Sequence, residues 1–273
     1  MRDGKLDETS IDYRREVLEI FQSAGRGHLG PTFSAIEIIR VLYENILRGN
    51  PALPLWEDRD RFILSKGHGC LALYVALARQ GYFEKDELRT FCQFGSRLGG
   101  HPEYLKLPGV EASTGALGHG LSIGIGVALN ARLEGRDYRT FVLLGDGECN
   151  EGSVWEAAMS ASKHQLSNLV AIIDYNKMQC YGEVCAVMPL EPFADKWRSF
   201  GFAVKEVDGH DIRALQEAFA ELPLAPKVPS ALICHTVKGK GIASIEGDPS
   251  WHHKIRLADE VLSNLMRELE AAR

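Results

Sequence analysis

Four short apolar runs, each bounded by turn-forming residues, constrain this chain more than any other feature. TFVLL (140–144) ends at Gly145-Asp146-Gly147, and NLVAIID (168–174) ends at Tyr175-Asn176. FAVKEV (202–207) passes through Asp-Gly-His-Asp into a helical pattern from Ile212, and SALICHT (230–236) follows a stretch holding Pro223, Pro226 and Pro229. Strands that alternate with helical segments must be joined by crossovers, which makes the sheet parallel and covers both of its faces. The expected fold is α/β, a parallel sheet with helices on both faces. With 273 residues and neither repeats nor a long linker, one domain over 1–273 is expected.

The first half of the chain reads less regularly. Ile11 to Phe21 carries Val17, Leu18 and Phe21 at helical spacing and runs into the loop SAGRGH. Ser34 and Glu37 have capping-box spacing and would open a helix through Ile38, Ile39, Leu42 and Ile46, stopped by Gly49-Asn50-Pro51. Arg61 to Leu64 is a further strand leading into Ser65-Lys66-Gly67-His68. CLALYVALARQ and EKDELRTFCQF then predict two helices. Ser153 and Glu156 are expected to cap the helix after Gly147. The last helix, 256–273, puts Val261, Leu262, Leu265, Met266 and Leu269 on one face.

Composition removes several classes of function. Thirty-one basic against 37 acidic residues leave a net charge of −6, with no basic stretch to attract nucleic acid. The longest uncharged segment, 112–131, could span a bilayer by length, but five glycines and several polar residues argue against a membrane helix. The N-terminus is too polar for a signal peptide. Cysteines at 70, 92, 149, 180, 185 and 234 form no C-x-x-C pair, so they are expected to be buried thiols in a reducing, cytoplasmic setting.

The chemistry concentrates in the loops. Twenty-eight residues (148–175) separate Gly147 from Asn176, enough for a helix and a return strand that bring the two strand ends together. Asp146, Asn176 and a nearby backbone carbonyl would then form half an oxygen shell for a hard cation such as Mg²⁺. Two ordinary turns would look the same at this level. Glycines at 115, 118 and 120 precede a helix whose N–H groups could face an anion, or they could serve tight packing, as could Gly124 and Gly126 within it. His28, His68, His101 and His252 all lie in Gly- or Pro-rich loops, where imidazole can exchange protons near neutrality, although a single loop histidine is usually structural. Glu151 and Glu156 open a helix, where acids commonly do no more than favour the dipole.

The ordered motifs GRGHLG, RFILSKGH, GGHPE, PGVEASTGALGHGLS, LLGDGECNEGSVWEA, DYNKM and HTVKGKGIASIEGDPSWH resemble the diphosphate-binding, N-terminal domain of transketolases. The resemblance runs from about Arg14 to Lys254. It implies thiamine diphosphate as cofactor, with Asp146, Asn176 and the Met178 carbonyl holding Mg²⁺ (or Ca²⁺). His68, the turn Gly115-Ala116-Leu117, Gly147, Asn176, Lys238 and His252 would contact the cofactor. By the same resemblance His28, His101 and His252 are catalytic, bonding donor hydroxyls and assisting proton transfer. Glu151 and Glu156 match acids that the family places across its dimer interface, where they link the two active sites. Leu29, His119 and His253 depart from the family's usual proline, glutamine and glycine.

Transketolases also carry a second domain, which supplies the pyrimidine site and an activating glutamate, and a third domain. The sequence contains neither. The expectation is one half of a split transketolase, starting at Met1, ending in an amphipathic helix and working with a companion C-terminal subunit as α2β2. Its reaction would move a two-carbon ketol unit from a (phospho)ketose to an aldose. The α-subunit of a thiamine diphosphate-dependent 2-oxo acid dehydrogenase, or a non-catalytic cofactor-binding subunit, are the alternatives. The histidine set argues against the former, since decarboxylating an oxo acid needs no donors for sugar hydroxyls.

Overall fold

The structure, a computed structural model, describes residues 6–272. It opens with α1 (Glu8–Ala24), where the Asp7 carboxylate accepts the Ser10 N–H at 2.8 Å and satisfies one of the free donors of the first turn. A two-residue strand β1 (Arg26–Gly27) leads into α2 (Leu29–Ser34) and α3 (Ile36–Val41), which continues as a π turn over Leu42–Ile46. Next come β2 (Arg61–Leu64), α4 (Cys70–Arg79), α5 (Gly120–Leu133), β3 (Thr140–Gly145), α6 (Gly152–Lys163) and β4 (Leu169–Tyr175). The chain then forms α7 (Val184–Val187), α8 (Phe193–Ser199), β5 (Ala203–Asp208), α9 (Ile212–Ala220), β6 (Ser230–His235), β7 (Lys254–Ile255) and α10 (Asp259–Ala271).

Five strands form one parallel sheet in the order β2-β3-β4-β6-β5. Because strand side chains alternate, Phe62, Leu64, Phe141, Leu143, Val170, Ile172 and Leu232 face one apolar layer, and Ile63, Val142, Leu144, Ala171, Ile173, Ala231 and Ile233 face the other. The first layer is completed by α1 to α4, α9 and α10, the second by α5, α6 and α8. Helices on both faces of a parallel sheet are the architecture the apolar runs predict. Gly145 pairs with Asp174, so the ends of β3 and β4 lie side by side, as the crossover length requires.

Several local expectations give way to tertiary contacts. Ser34 and Glu37 form no capping box. The Ser34 hydroxyl bonds the Asp174 carboxylate at 2.6 Å, and Glu37 is drawn into a buried pair with Arg14 of α1 and a 2.8 Å contact with His210. Ser153 likewise gives its hydroxyl to the Gly118 carbonyl at 3.0 Å instead of capping α6. The run 84–94 yields only a three-ten turn, Lys85–Thr90, because Cys92 adopts a φ of 56° and its N–H bonds the Leu98 carbonyl. Three of the six cysteines (70, 149, 234) are buried, whereas Cys180 and Cys185 are exposed. No described helix is long and apolar enough to cross a membrane.

Candidate active site

The loops at the carboxyl ends of β2, β3 and β4 enclose a cleft of about 400 Å³. This is where ligands sit in open parallel sheets. Its floor is polar. Asp146 follows β3 and is buried, with Oδ1 accepting the Gly147 N–H at 2.7 Å and Oδ2 accepting the Lys177 N–H. Lys177 has a φ of 65°, which turns the chain tightly enough to bring Asn176 and Met178 to the same wall. Asn176 donates Nδ2 to Asp174 at 3.1 Å, and its Oδ1 accepts the Met178 N–H at 3.0 Å.

Behind this floor lies a buried pair that the sequence motifs do not reveal. Lys66 and Asp174 are both below 2% exposed and form an ion pair, with Ser34, Thr236 and Asn176 also bonded to the carboxylate. Burial alone would raise the Asp174 pKa, but the Lys66 charge and these hydrogen bonds hold it below the usual carboxylate range. An aspartate closing an otherwise apolar strand is the sequence signal for such a pair. Glu148 is equally hidden from the motifs. Its carboxylate accepts the Ser65 hydroxyl and the N–H groups of Gly118 (2.9 Å) and Gly145 (3.0 Å). The Gly120 N–H goes to Ser65. The donors at the start of α5, expected to face an anion, are therefore met by the protein's own side chains.

Two charges in the cleft lack a counter-ion among the described residues. Asp146 makes no ion pair among the described residues, and burial together with the neighbouring Asp174 pushes its pKa up to about 7. Among the described residues the buried Lys238 bonds the Gln179 carbonyl (2.9 Å) and His252 Nδ1 (3.1 Å) and no carboxylate. Burial and the Lys66 charge lower its pKa to about 8. A hard cation between Asp146, Asn176 and the Met178 carbonyl, carrying an anionic ligand toward Lys238, would compensate both. The donors here are a carboxylate, a side-chain amide oxygen and a backbone carbonyl, a set of hard oxygens that suits Mg²⁺. The residues present fit a cation–diphosphate group.

Above the floor the four loop histidines meet. The His28 ring lies 5.7 Å from His68, 6.0 Å from His101 and 5.4 Å from His252, centre to centre, and 4.5 Å from His253. Their convergence has a local cause that periodicity could not reveal. Arg26 pairs with Ile255 and Gly27 with Lys254, so the antiparallel ribbon β1–β7 laces the loop holding His28 to the loop holding His252 and His253. Gly115, at φ 145°, sits so close to His101 that a Cβ there would lie 3.2 Å from the imidazole. Burial, followed by the other cationic and imidazole groups, lowers His28 to about 3 and His252 to about 4. His68, His101 and His253 are lowered in the same direction. At neutral pH the cluster is a set of uncharged imidazoles, each with one donor and one acceptor nitrogen.

Of the other expected positions, Gly115, Leu117, Gly147, Lys238 and Glu151 line the cleft. Ala116 is exposed and does not line it. Glu156 points to solvent from α6, away from the cleft, near the exposed Met159. Ile123 and Gly126 are likewise exposed on α5, which packs against α6. Gly124 was expected to mark a close approach and does, since a Cβ there would lie 2.5 Å from Val142 of β3. Gly126 meets nothing within 4 Å.

Residues 7–269 match the family described as "Transketolase, thiamine diphosphate binding domain". The chain is 43% identical over 255 residues to a subunit of the apulose-4-phosphate transketolase of Phocaeicola vulgatus, covering 93% of this chain and 90% of that one. It is 39% identical over 257 residues to a 6-deoxy-6-sulfo-D-fructose transketolase subunit of Clostridium sp., covering 94% and 93%. Among solved structures it is similar to the transketolase from Leishmania mexicana, with a TM-score of 0.89 at 32% identity over 96% of this chain. It spans 41% of that longer protein.

Proposed function

Because this chain belongs to the transketolase family through its thiamine diphosphate-binding domain, we propose that it is the diphosphate-binding subunit of a split transketolase. With a companion subunit it would transfer a two-carbon ketol unit from a (phospho)ketose to an aldose, as a cytoplasmic α2β2 enzyme. The observation that carries the reading is the clustering of neutral histidines over a cleft that holds a buried carboxylate and a buried ammonium, neither with an ion-pair partner among the described residues.

In this reading Asp146, Asn176 and the Met178 carbonyl hold Mg²⁺. Lys238, His68, Gly115, Leu117, Gly147, Asn176 and His252 receive thiamine diphosphate. When bound, that cofactor supplies a nucleophilic carbon for the donor ketone. His28, His101 and His252 do the rest from this chain: as neutral donor–acceptor groups they orient the sugar hydroxyls and carry a proton to or from the oxygen at the reacting carbon. His252 also accepts from Lys238, which ties the proton-handling layer to the diphosphate layer. Glu151, on the rim of the cleft, and Glu156 with Met159 and Ile123 on the adjoining helix face, would meet the companion. The relatives' designations as subunits support that partnership.

The test is turnover of hydroxypyruvate with an aldose acceptor in the presence of thiamine diphosphate and Mg²⁺, for this chain alone and after mixing with the product of the adjacent gene. Silence alone and turnover on mixing are expected. Turnover by the isolated chain, or activity with pyruvate and an electron acceptor but none with ketoses, would overturn the reading.

A further inference from the structure

The segment that carries His101 belongs to no helix or strand, and Gly99 and Gly100 have no side chain with which to pack. Its backbone is nevertheless held at every step. The Leu98 carbonyl accepts the Cys92 N–H at 2.8 Å, and the Pro102 carbonyl accepts the Thr114 N–H at 3.1 Å. The three carbonyls between them are met by two side chains of a single helix. The Tyr74 hydroxyl lies 2.9 Å from the Gly99 carbonyl and 3.1 Å from that of His101. The Cys70 thiol donates to the Gly100 carbonyl at 3.2 Å. Five successive carbonyls thus each find a donor, in a stretch with no regular structure to supply them.

Cys70 and Tyr74 stand four residues apart in α4, hence on one face of it, and are only 1% and 2% exposed. The Tyr74 ring is backed by Phe91, 6.1 Å away centre to centre. The same helix starts directly after the turn Gly67–Gly69, which holds His68. One rigid element therefore presents His68 at its entrance and grips the backbone of His101 from its first turns. Gly115 closes on the His101 ring from the other side, where a Cβ would lie 3.2 Å away. Neither Tyr74 nor Cys70 lines the cleft, so any effect on the chemistry must run through the histidine they hold. We propose that Tyr74, assisted by Cys70, is a positioning residue for ketol transfer. Its hydroxyl keeps the His101 imidazole at the distance from the cofactor layer at which a proton can pass. The inference rests on the transketolase reading above. Proton transfer demands that placement, since a shift of about 1 Å in a reacting group costs on the order of a hundredfold in rate.

The test uses the assembled two-subunit enzyme with thiamine diphosphate, Mg²⁺, hydroxypyruvate and an aldose acceptor. Turnover gives kcat and the donor KM, and calorimetry gives the affinity for the cofactor. Tyr74→Phe keeps the ring and removes only the hydroxyl. It should lower kcat about ten- to a hundredfold while the donor KM and the cofactor affinity stay as in wild type. In a His101→Ala background the same substitution should change nothing further, because the group it positions is already gone. Cys70→Ala should lower kcat by less, a thiol being the weaker donor, and Cys70→Ser should restore it. Four results would refute the positioning role and leave the transketolase reading intact. They are a kcat unmoved by Tyr74→Phe, an equal loss in both backgrounds, a loss explained by weaker cofactor binding, and full turnover in His101→Ala. A wild-type assembly inactive with hydroxypyruvate and with every ketose would instead refute that reading, and this inference with it.

Discussion

His101 and Asp146 separate the two layers of the site most sharply. His101 is exposed at the mouth of the cleft, with Gly115 against its ring and its backbone carbonyl accepting the Tyr74 hydroxyl at 3.1 Å. Its removal leaves the cation–diphosphate floor untouched. His101→Ala in the assembled enzyme should retain thiamine diphosphate by titration and lose ketol transfer by about 10²- to 10⁴-fold; unchanged turnover would take His101 out of the mechanism. Asp146→Ala should do the reverse, abolishing Mg²⁺-dependent cofactor retention, and tight binding by that variant would refute the cation assignment. Acid behaviour follows from the depressed histidines. His28 and His252 titrate at about 3 and 4 in the folded chain against 6.5 when free, so the unfolded chain binds protons first. Their contribution to stability is complete above pH 6.5 and drains away as the pH falls through about 4 for His252 and about 3 for His28. Urea midpoints should decline across that window, and less steeply in His28→Gln.

At the level of elements, α5 tests the packing argument within a single helix. Gly124→Ala would push a methyl group into Val142 and is expected to destabilise the chain by about 1–3 kcal/mol. Gly126→Ala meets open space and should be neutral or stabilising by about 0.5–1 kcal/mol. Urea denaturation of the two variants distinguishes them, and equal effects would mean that α5 can shift on β3. The sheet strands and α4 are legible in the sequence because their apolar runs have one period, and all but the half-buried β5 are buried on both sides. The ribbon β1–β7 is not, since two residues a side have no period to read and only their pairing partner makes them strands. Ser34, Glu37 and Ser153 mislead for the opposite reason. Their local spacing is genuine capping spacing, but Asp174, Arg14, His210 and the Gly118 carbonyl are stronger claimants on those side chains than the helix ends. The candidate cation ligands stand out in sequence as polar residues just beyond apolar runs, and the histidines as members of Gly- or Pro-rich loops, whereas Lys66 and Glu148 can be seen only once the strand ends are side by side.

For the whole molecule, the exposed apolar groups on α5 and α6 flank the acids assigned to subunit contact. Ile123→Asp/Met159→Asp should leave the circular dichroism of the isolated chain unchanged and prevent its co-purification with the companion; undiminished association would move the interface elsewhere. The ribbon has a consequence for synthesis. The segment bearing His28 emerges early, but its tether, Lys254–Ile255, emerges only after the entire sheet has been made. A growing chain therefore carries all five sheet strands before the tie between the His28 loop and the His252–His253 loop exists. On the proposed reading, translation must pass residue 255 before the His28 and His252 loops can be tied together, so a shorter nascent chain carries every sheet strand without that part of the site.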